Sequence, residues 1–349
     1  MTLLLEQGVV FHESLDNESN TPIHYAAAYG HLDAVKWLFS NGSTFDCTNN
    51  SLWLPIHSAA NRNQKEVVDF FLSNEIPIET KTKNGLTPLL IAARSGSVDV
   101  LEYLLEKGAN KDTIDGNNES ALVVCVLAHQ LEAAKILIKH GVDINFNSEG
   151  WTALNFAIKE KSIDFVDLLV NNGAMLNTSH VHNMAPLHWA SKYGVLEIVQ
   201  ILIEHGADVN VTSNEGWTPV CLASGYGHLP IVRFLVEKGA DINLIGKNNI
   251  APFMFACLNG QKEIAQYLVE KGANIRIVDN GGWNVLHWAV AHKQTETVRY
   301  LLSLGIDHTR KDKNRQTPYD IAVHDRNQEM IALLEENGAA TTKTNCNIA

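Results

Sequence analysis

Between Asn214 and Asn243 the apolar and polar positions fall into two short helical blocks separated by glycine. The first is expected from about Pro219, whose fixed φ suits an opening helical position and whose missing N–H costs nothing there. Gly227 stops it. The second runs from about Leu229 with Pro230 in its first turn, and Ile231, Val232, Leu235 and Val236 form one buried stripe. Gly239 then supplies a left-handed C-terminal cap. Helices this short are marginal alone because nucleation is costly, so neighbouring copies of the block must cover the stripe.

Such copies fill the chain. Thr21-Pro22, Leu54-Pro55, Thr87-Pro88, Ser120-Ala121, Thr152-Ala153, Ala185-Pro186, Thr218-Pro219, Ala251-Pro252, Asn284-Val285 and Thr317-Pro318 recur every 33 residues, with one step of 32 between Ala121 and Ala153. The closing glycine keeps the beat at Gly42, Gly108, Gly141, Gly173, Gly206, Gly239, Gly272, Gly305 and Gly338, and Glu75 alone departs from it. A fixed period of this size marks a stacked repeat architecture. The shortened connection before Thr152 predicts a changed angle between the fourth and fifth repeats. Leu3, Leu4 and Leu5 read as the second helix of a repeat without its first, which points to a piece of a longer protein or a frayed end. At the other end Glu335 replaces an apolar residue, as suits a solvated outer face.

With Thr-Pro-Leu-His, paired alanines such as Ala26-Ala27, Ala59-Ala60 and Ala92-Ala93, and Leu-Leu-Glu-Lys-Gly-Ala, the chain resembles the ankyrin repeat family. The resemblance implies an all-α solenoid of β-turns and antiparallel helix pairs. Ten full repeats would start near residues 18, 51, 84, 117, 149, 182, 215, 248, 281 and 314, after a half repeat over 1–17. Residues 1–338 would form the array and 339–349 a disordered tail. It further implies that His24, His57, His188 and His287 hydrogen-bond between turns, and that the variable positions lie on the concave side: the turn residue before Thr-Pro and the end of the first helix.

In those positions stand Trp53, Trp151, Trp217 and Trp283 on the turns and Tyr29, Tyr193 and Tyr226 on the helices. Large rigid rings with a polar handle are enriched at binding hot spots; an indole can equally cover a neighbouring turn. Trp189 and Trp288 share a slot with Leu222, Phe156 and Ile91 and are expected in the core. Asn145, Asn210 and Asn243 follow the Leu, five residues, Asp, Ile/Val spacing that resembles the target of asparaginyl hydroxylases.

The formal charge of −12 argues against a general nucleic-acid binder. The basic run Arg310-Lys311-Asp312-Lys313-Asn314-Arg315 reads as a solvated turn. Five cysteines without a CxxC read as reduced core thiols. No apolar run is long enough to span a membrane, so neither membrane insertion nor a secretory leader is expected, and a cytoplasmic monomer follows. His180 and His182 lack a third ligand at a fixed spacing, so no metal is expected, and no motif for a cofactor or for catalysis is present. The sequence therefore reads as a non-catalytic scaffold for a protein or peptide partner. The alternative is a regulatory or targeting module of a larger channel, enzyme or microbial effector.

Overall fold

A computed structural model describes residues 15–177, 183–247 and 249–339. The expected half repeat, the tail and the His180/His182 pair fall outside the described residues, apart from the inner ends of the first two. The chain forms two compact units, Met1–Met175 and Leu176–Ala349. The first unit holds α1 (Pro22–Ala28), α2 (Leu32–Ser40), α3 (Pro55–Asn61), α4 (Lys65–Ser73), α5 (Pro88–Ser95), α6 (Val98–Glu106), α7 (Ala121–Leu127), α8 (Leu131–Lys139), α9 (Ala153–Lys159) and α10 (Ile163–Asn171). The second holds α11 (Pro186–Tyr193), α12 (Leu196–Glu204), α13 (Pro219–Gly225), α14 (Leu229–Glu237), α15 (Pro252–Leu258), α16 (Lys262–Glu270), α17 (Val285–Ala291), α18 (Thr295–Ser303), α19 (Pro318–His324) and α20 (Gln328–Glu336). All regular structure among the described residues is thus helical, in ten pairs.

Local chemistry sets each pair. Proline opens seven of the first helices, and Thr87, Thr218 and Thr317 cap theirs by accepting the N–H of Leu90, Cys221 and Asp320 at 3.2–3.3 Å. The second helices other than Leu229–Glu237 carry an acid in the first turn, such as Asp33, Glu66, Asp99 and Glu132, which suits the positive end of the helix dipole. They end on left-handed residues, and Glu75, in the glycine's place, adopts the same conformation at φ +67°.

Within each unit the first helices pack on one another in one layer and the second helices in another. Alanines such as Ala59, Ala92 and Ala190 are fully buried between them, as is Cys125 in the same slot. Among the described residues Ser191 Oγ, His140 Nε2 and Thr297 Oγ1 are buried without a hydrogen-bond partner. Thr297 on α18 occupies the slot of Ile198, Ile231 and Ile264, is 1% exposed, and its hydroxyl has no hydrogen-bond partner. Thr297→Val keeps the shape and removes the stranded group, so it is expected to raise stability by about 1 kcal/mol, read from the thermal unfolding midpoint.

The turns stack too. Eight of the described turns are closed by an N–H to C=O bond across four residues, as from Asn49 to Trp53 (3.1 Å) and from Asp115 to Glu119 (3.1 Å). Successive turns are joined by backbone rungs: Asn50 to Glu18, Lys83 to Ser51 and Gly116 to Asn84 in the first unit, Lys247 to Glu215 and Lys313 to Gly281 in the second, at 2.8–3.0 Å. The short step of the sequence is taken up inside one turn. Ser148 and Trp151 exchange two bonds of 2.9 and 2.8 Å around Glu149 (φ +49°) and Gly150 (φ +91°), the two left-handed residues of a tight primed turn. Among the described residues no backbone rung joins this turn to the one at residues 115–119.

Candidate functional site

The four turn tryptophans are half-buried, and their backbone is fixed from two sides. Asn49 Oδ1, Ser213 Oγ and Asp279 Oδ1 accept the N–H of Trp53, Trp217 and Trp283 at 3.0, 3.2 and 2.8 Å. His24 and His188, one repeat earlier, donate from Nε2 to the carbonyls of Trp53 (2.9 Å) and Trp217 (2.8 Å). Nδ1 of each ring accepts the N–H at its own helix start, from Thr21 and Ala185. His57 does the same, reaching Thr80 O (3.1 Å), and His287 Nε2 reaches Gln316 O (3.3 Å) while its Nδ1 lies 2.7 Å from Asn284 Oδ1. With one nitrogen accepting and the other donating, the rings of His24, His57 and His188 are neutral. Burial pushes all four pKa values down, that of His57 to about 4. They position the turns.

In the first unit Tyr29 is 61% exposed beside His31, and Trp53 sits edge-on to His57. Trp151 lies 5.5 Å from Phe156, with the Lys159 ammonium 5.7 Å above its ring. Tyr25, which the sequence did not single out, is exposed and donates to Asp16 at 2.5 Å.

The second unit carries a denser aromatic set. Trp189 is buried, as expected, and stacks on half-buried Tyr193 at 5.9 Å. Lys192 lies over Trp189 (5.3 Å) and over exposed Tyr226 (5.5 Å). Trp217 packs 5.3 Å from Phe255, whose ring rests on Gly225 where a Cβ would have no room. Trp283 and Trp288 meet edge to face at 4.9 Å.

Trp288 corrects the expectation of a core residue: it is half-exposed. Trp189 in the same slot is buried, so ring size does not decide this; the Nε1 of Trp288 donates to Asp279 Oδ2 at 3.0 Å, which holds its polar edge towards the turn. Trp283 Nε1 donates to Asp312 Oδ2 at 2.9 Å, so the middle of the basic run is a buried carboxylate that anchors an indole. Phe156, Phe255 and Trp288 are the residues that sequence reasoning missed. The available signal was their five-residue spacing from a turn tryptophan, or the glycine opposite.

Asn145 in the first unit and Asn210 and Asn243 in the second make the same pair of bonds. Each amide donates to the closing glycine carbonyl of the next repeat, Gly173, Gly239 or Gly272, at 3.2–3.4 Å. Each Oδ1 accepts an N–H two residues further on, from Met175, Asp241 or Asn274 at 2.8 Å. Cys125, Cys221 and Cys257 are buried free thiols whose pKa burial raises. Among the described residues no cluster of three or more His, Cys, Asp or Glu is placed to hold a metal ion, and no helix is long and apolar enough to cross a membrane.

A closed turn followed by two packed helices, repeated every 33 residues with a histidine bridge between turns, defines a helical repeat protein. The chain belongs to the ankyrin repeat family: matches described as ankyrin repeats (3 copies) cover residues 41–115, 107–180, 175–246 and 253–345, and one described as ankyrin repeats (many copies) covers 1–39. Among solved structures it is similar to the ankyrin repeat domain of Bcl-3, described as a unique member of the IκB protein family. That similarity has a TM-score of 0.56 and 26% identity over 62% of this chain and 100% of that one. No curated protein matches the sequence significantly. Ankyrin repeats are generally protein–protein interaction modules, and the fold is typically non-catalytic.

Proposed function

We propose that the chain is a non-catalytic scaffold that binds a partner protein or peptide on the face formed by its turns and first helices. The supporting observation is the recurrence there of partly exposed rings, Trp217, Tyr226, Phe255, Trp283 and Trp288 in the second unit above all, held by hydrogen bonds or packing before any partner arrives. Rings fixed in advance lose little conformational freedom on binding, and anchors spaced one repeat apart act together. Buried aromatic anchors of this kind dominate interface energetics.

Trp217→Ala combined with Trp283→Ala is expected to weaken binding about a thousandfold, given about 2 kcal/mol per hot-spot ring. The check is capture from a lysate of the source cells with both proteins as bait, followed by affinity measurement for each retained protein. Equal retention by a variant of unchanged helical content would reassign the rings to turn packing.

A further inference from the structure

The aromatic slots of different repeats are not equivalent in what covers them. In the fifth repeat Lys159 stands over Trp151 at 5.7 Å. Lys192, at the same place 33 residues later, stands over Trp189 and Tyr226 at 5.3 and 5.5 Å. The corresponding residue of the ninth repeat, 99 positions beyond Lys192, is Ala291. Among the described residues no lysine or arginine lies over Trp283 or Trp288. The fold thus supplies its own cation to two of these aromatic slots and omits it from the one that has two tryptophans.

The electrostatics of that corner favour a cation. Trp283 and Trp288 meet at 66°, so a group entering the angle faces indole π-surface. Both indole N–H groups point away to carboxylates, Asp312 at 2.9 Å and Asp279 at 3.0 Å. Those carboxylates are fixed in turn: Asp279 Oδ1 accepts from Gly281 and Trp283, and Asp312 Oδ1 from Gln316, each at 2.8 Å. An N–H donated to a carboxylate makes the ring more electron-rich and its face a better seat for positive charge. His292 borders Trp288 at 5.7 Å, and Arg310 of the following turn is tied to the Gly282 carbonyl at 3.3 Å. A protein of net charge −12 draws cationic partners over longer range as well.

We propose that the Trp283–Trp288 corner receives an alkylammonium group, such as a lysine side chain, from the partner segment. The proposal rests on the reading of this face as a partner-binding surface and adds the chemistry of one anchor. Ala291 leaves the corner open, where lysine in its place would fill it from within.

The test uses the full chain and a blocked pentapeptide, Gly-Gly-X-Gly-Gly, in which X is trimethyllysine or its neutral isostere with carbon in place of nitrogen. Binding is followed by the NMR shifts of the indole Nε1–H signals. The charged peptide is expected to bind about tenfold more tightly than the neutral one. Ala291→Lys is expected to lower its affinity by a similar factor at an unchanged melting temperature. Equal binding of the two peptides would show an apolar slot and overturn the proposal, as would indole signals unmoved by the charged peptide, or an Ala291→Lys variant that binds as well as the parent. Each of those results leaves the tryptophan-dependent capture of a partner standing, whereas failure of the capture alone would remove the scaffold reading.

Discussion

His57→Ala is expected to lower the stability of the N-terminal unit by about 3 kcal/mol, read from urea unfolding at pH 7. The ring accepts the Leu54 N–H at 2.9 Å and donates to Thr80 O at 3.1 Å, and it is fully buried. Truncation strands a donor and an acceptor, each worth about 1–3 kcal/mol if left unmet, and opens a cavity as well. His57→Asn should cost about half as much. In the fifth repeat Asn155 stands in the same slot and accepts the Thr152 N–H at 3.3 Å, so asparagine keeps the cap and loses the bridge. If the two variants were equally stable, the cap would contribute nothing, and if His57→Asn were as stable as the parent, the bridge to Thr80 would contribute nothing. The histidine also fixes the pH dependence. Burial holds the folded pKa at about 4, against about 6.5 in an unfolded chain. The unfolded state therefore takes up a proton between those values that the folded state refuses, so the stabilisation is complete above about pH 6.5 and is lost as pH falls towards 4. His24, His188 and His287 shift in the same direction, also through burial. The parent should accordingly lose stability between pH 7 and 5 more steeply than His57→Asn.

Gly216→Ala is expected to cost the C-terminal unit about 2–4 kcal/mol, and Gly239→Ala only about 1 kcal/mol. Both glycines are left-handed, at φ +76° and +90°, so both variants bear the penalty of a side chain in that region. They differ in what the new methyl meets. At Gly239 nothing lies within 4 Å, while at Gly216 the Cα of Gly246 would be 2.8 Å away. That neighbour is backbone, held beside the rung from Lys247 to Glu215, so it cannot swing aside as a side-chain tip would. Thermal midpoints of the two variants compare the effects directly, and equal shifts would mean that the turn stack yields at no cost.

Much of this architecture was legible because the physics that makes it is local. Proline at a first helical position, threonine before it and glycine after the second helix act within a few residues, and their period exposes the stack. The histidine role was legible through the family resemblance, and the geometry shows it as a neutral bridge. What escaped was whatever depends on a partner that only the folded turns and helices bring near. Trp288 looked like core because its slot hides Leu222, yet its polar edge finds Asp279, nine residues earlier in the chain. Phe255 could not be paired with Trp217 without knowing that Gly225 clears the space beneath its ring. Glu75 broke the glycine rhythm without breaking the conformation, because the left-handed region is costly for a non-glycine residue rather than closed to it.

The absent rung between the turns at residues 115–119 and 148–151 bears on cooperativity. In a linear array each repeat is stabilised only by its two neighbours, so folding spreads as far as the interfaces transmit it. Where the turn stack contributes nothing, coupling between the fourth and fifth repeats falls to the packing of α7 on α9 and α8 on α10 and to the bonds of Asn145 with Gly173 and Met175. Opening of the first unit then has a preferred boundary. The three backbone-stitched junctions before it hold their four repeats together, and the junction with the fifth is the one within this unit that has no such rung.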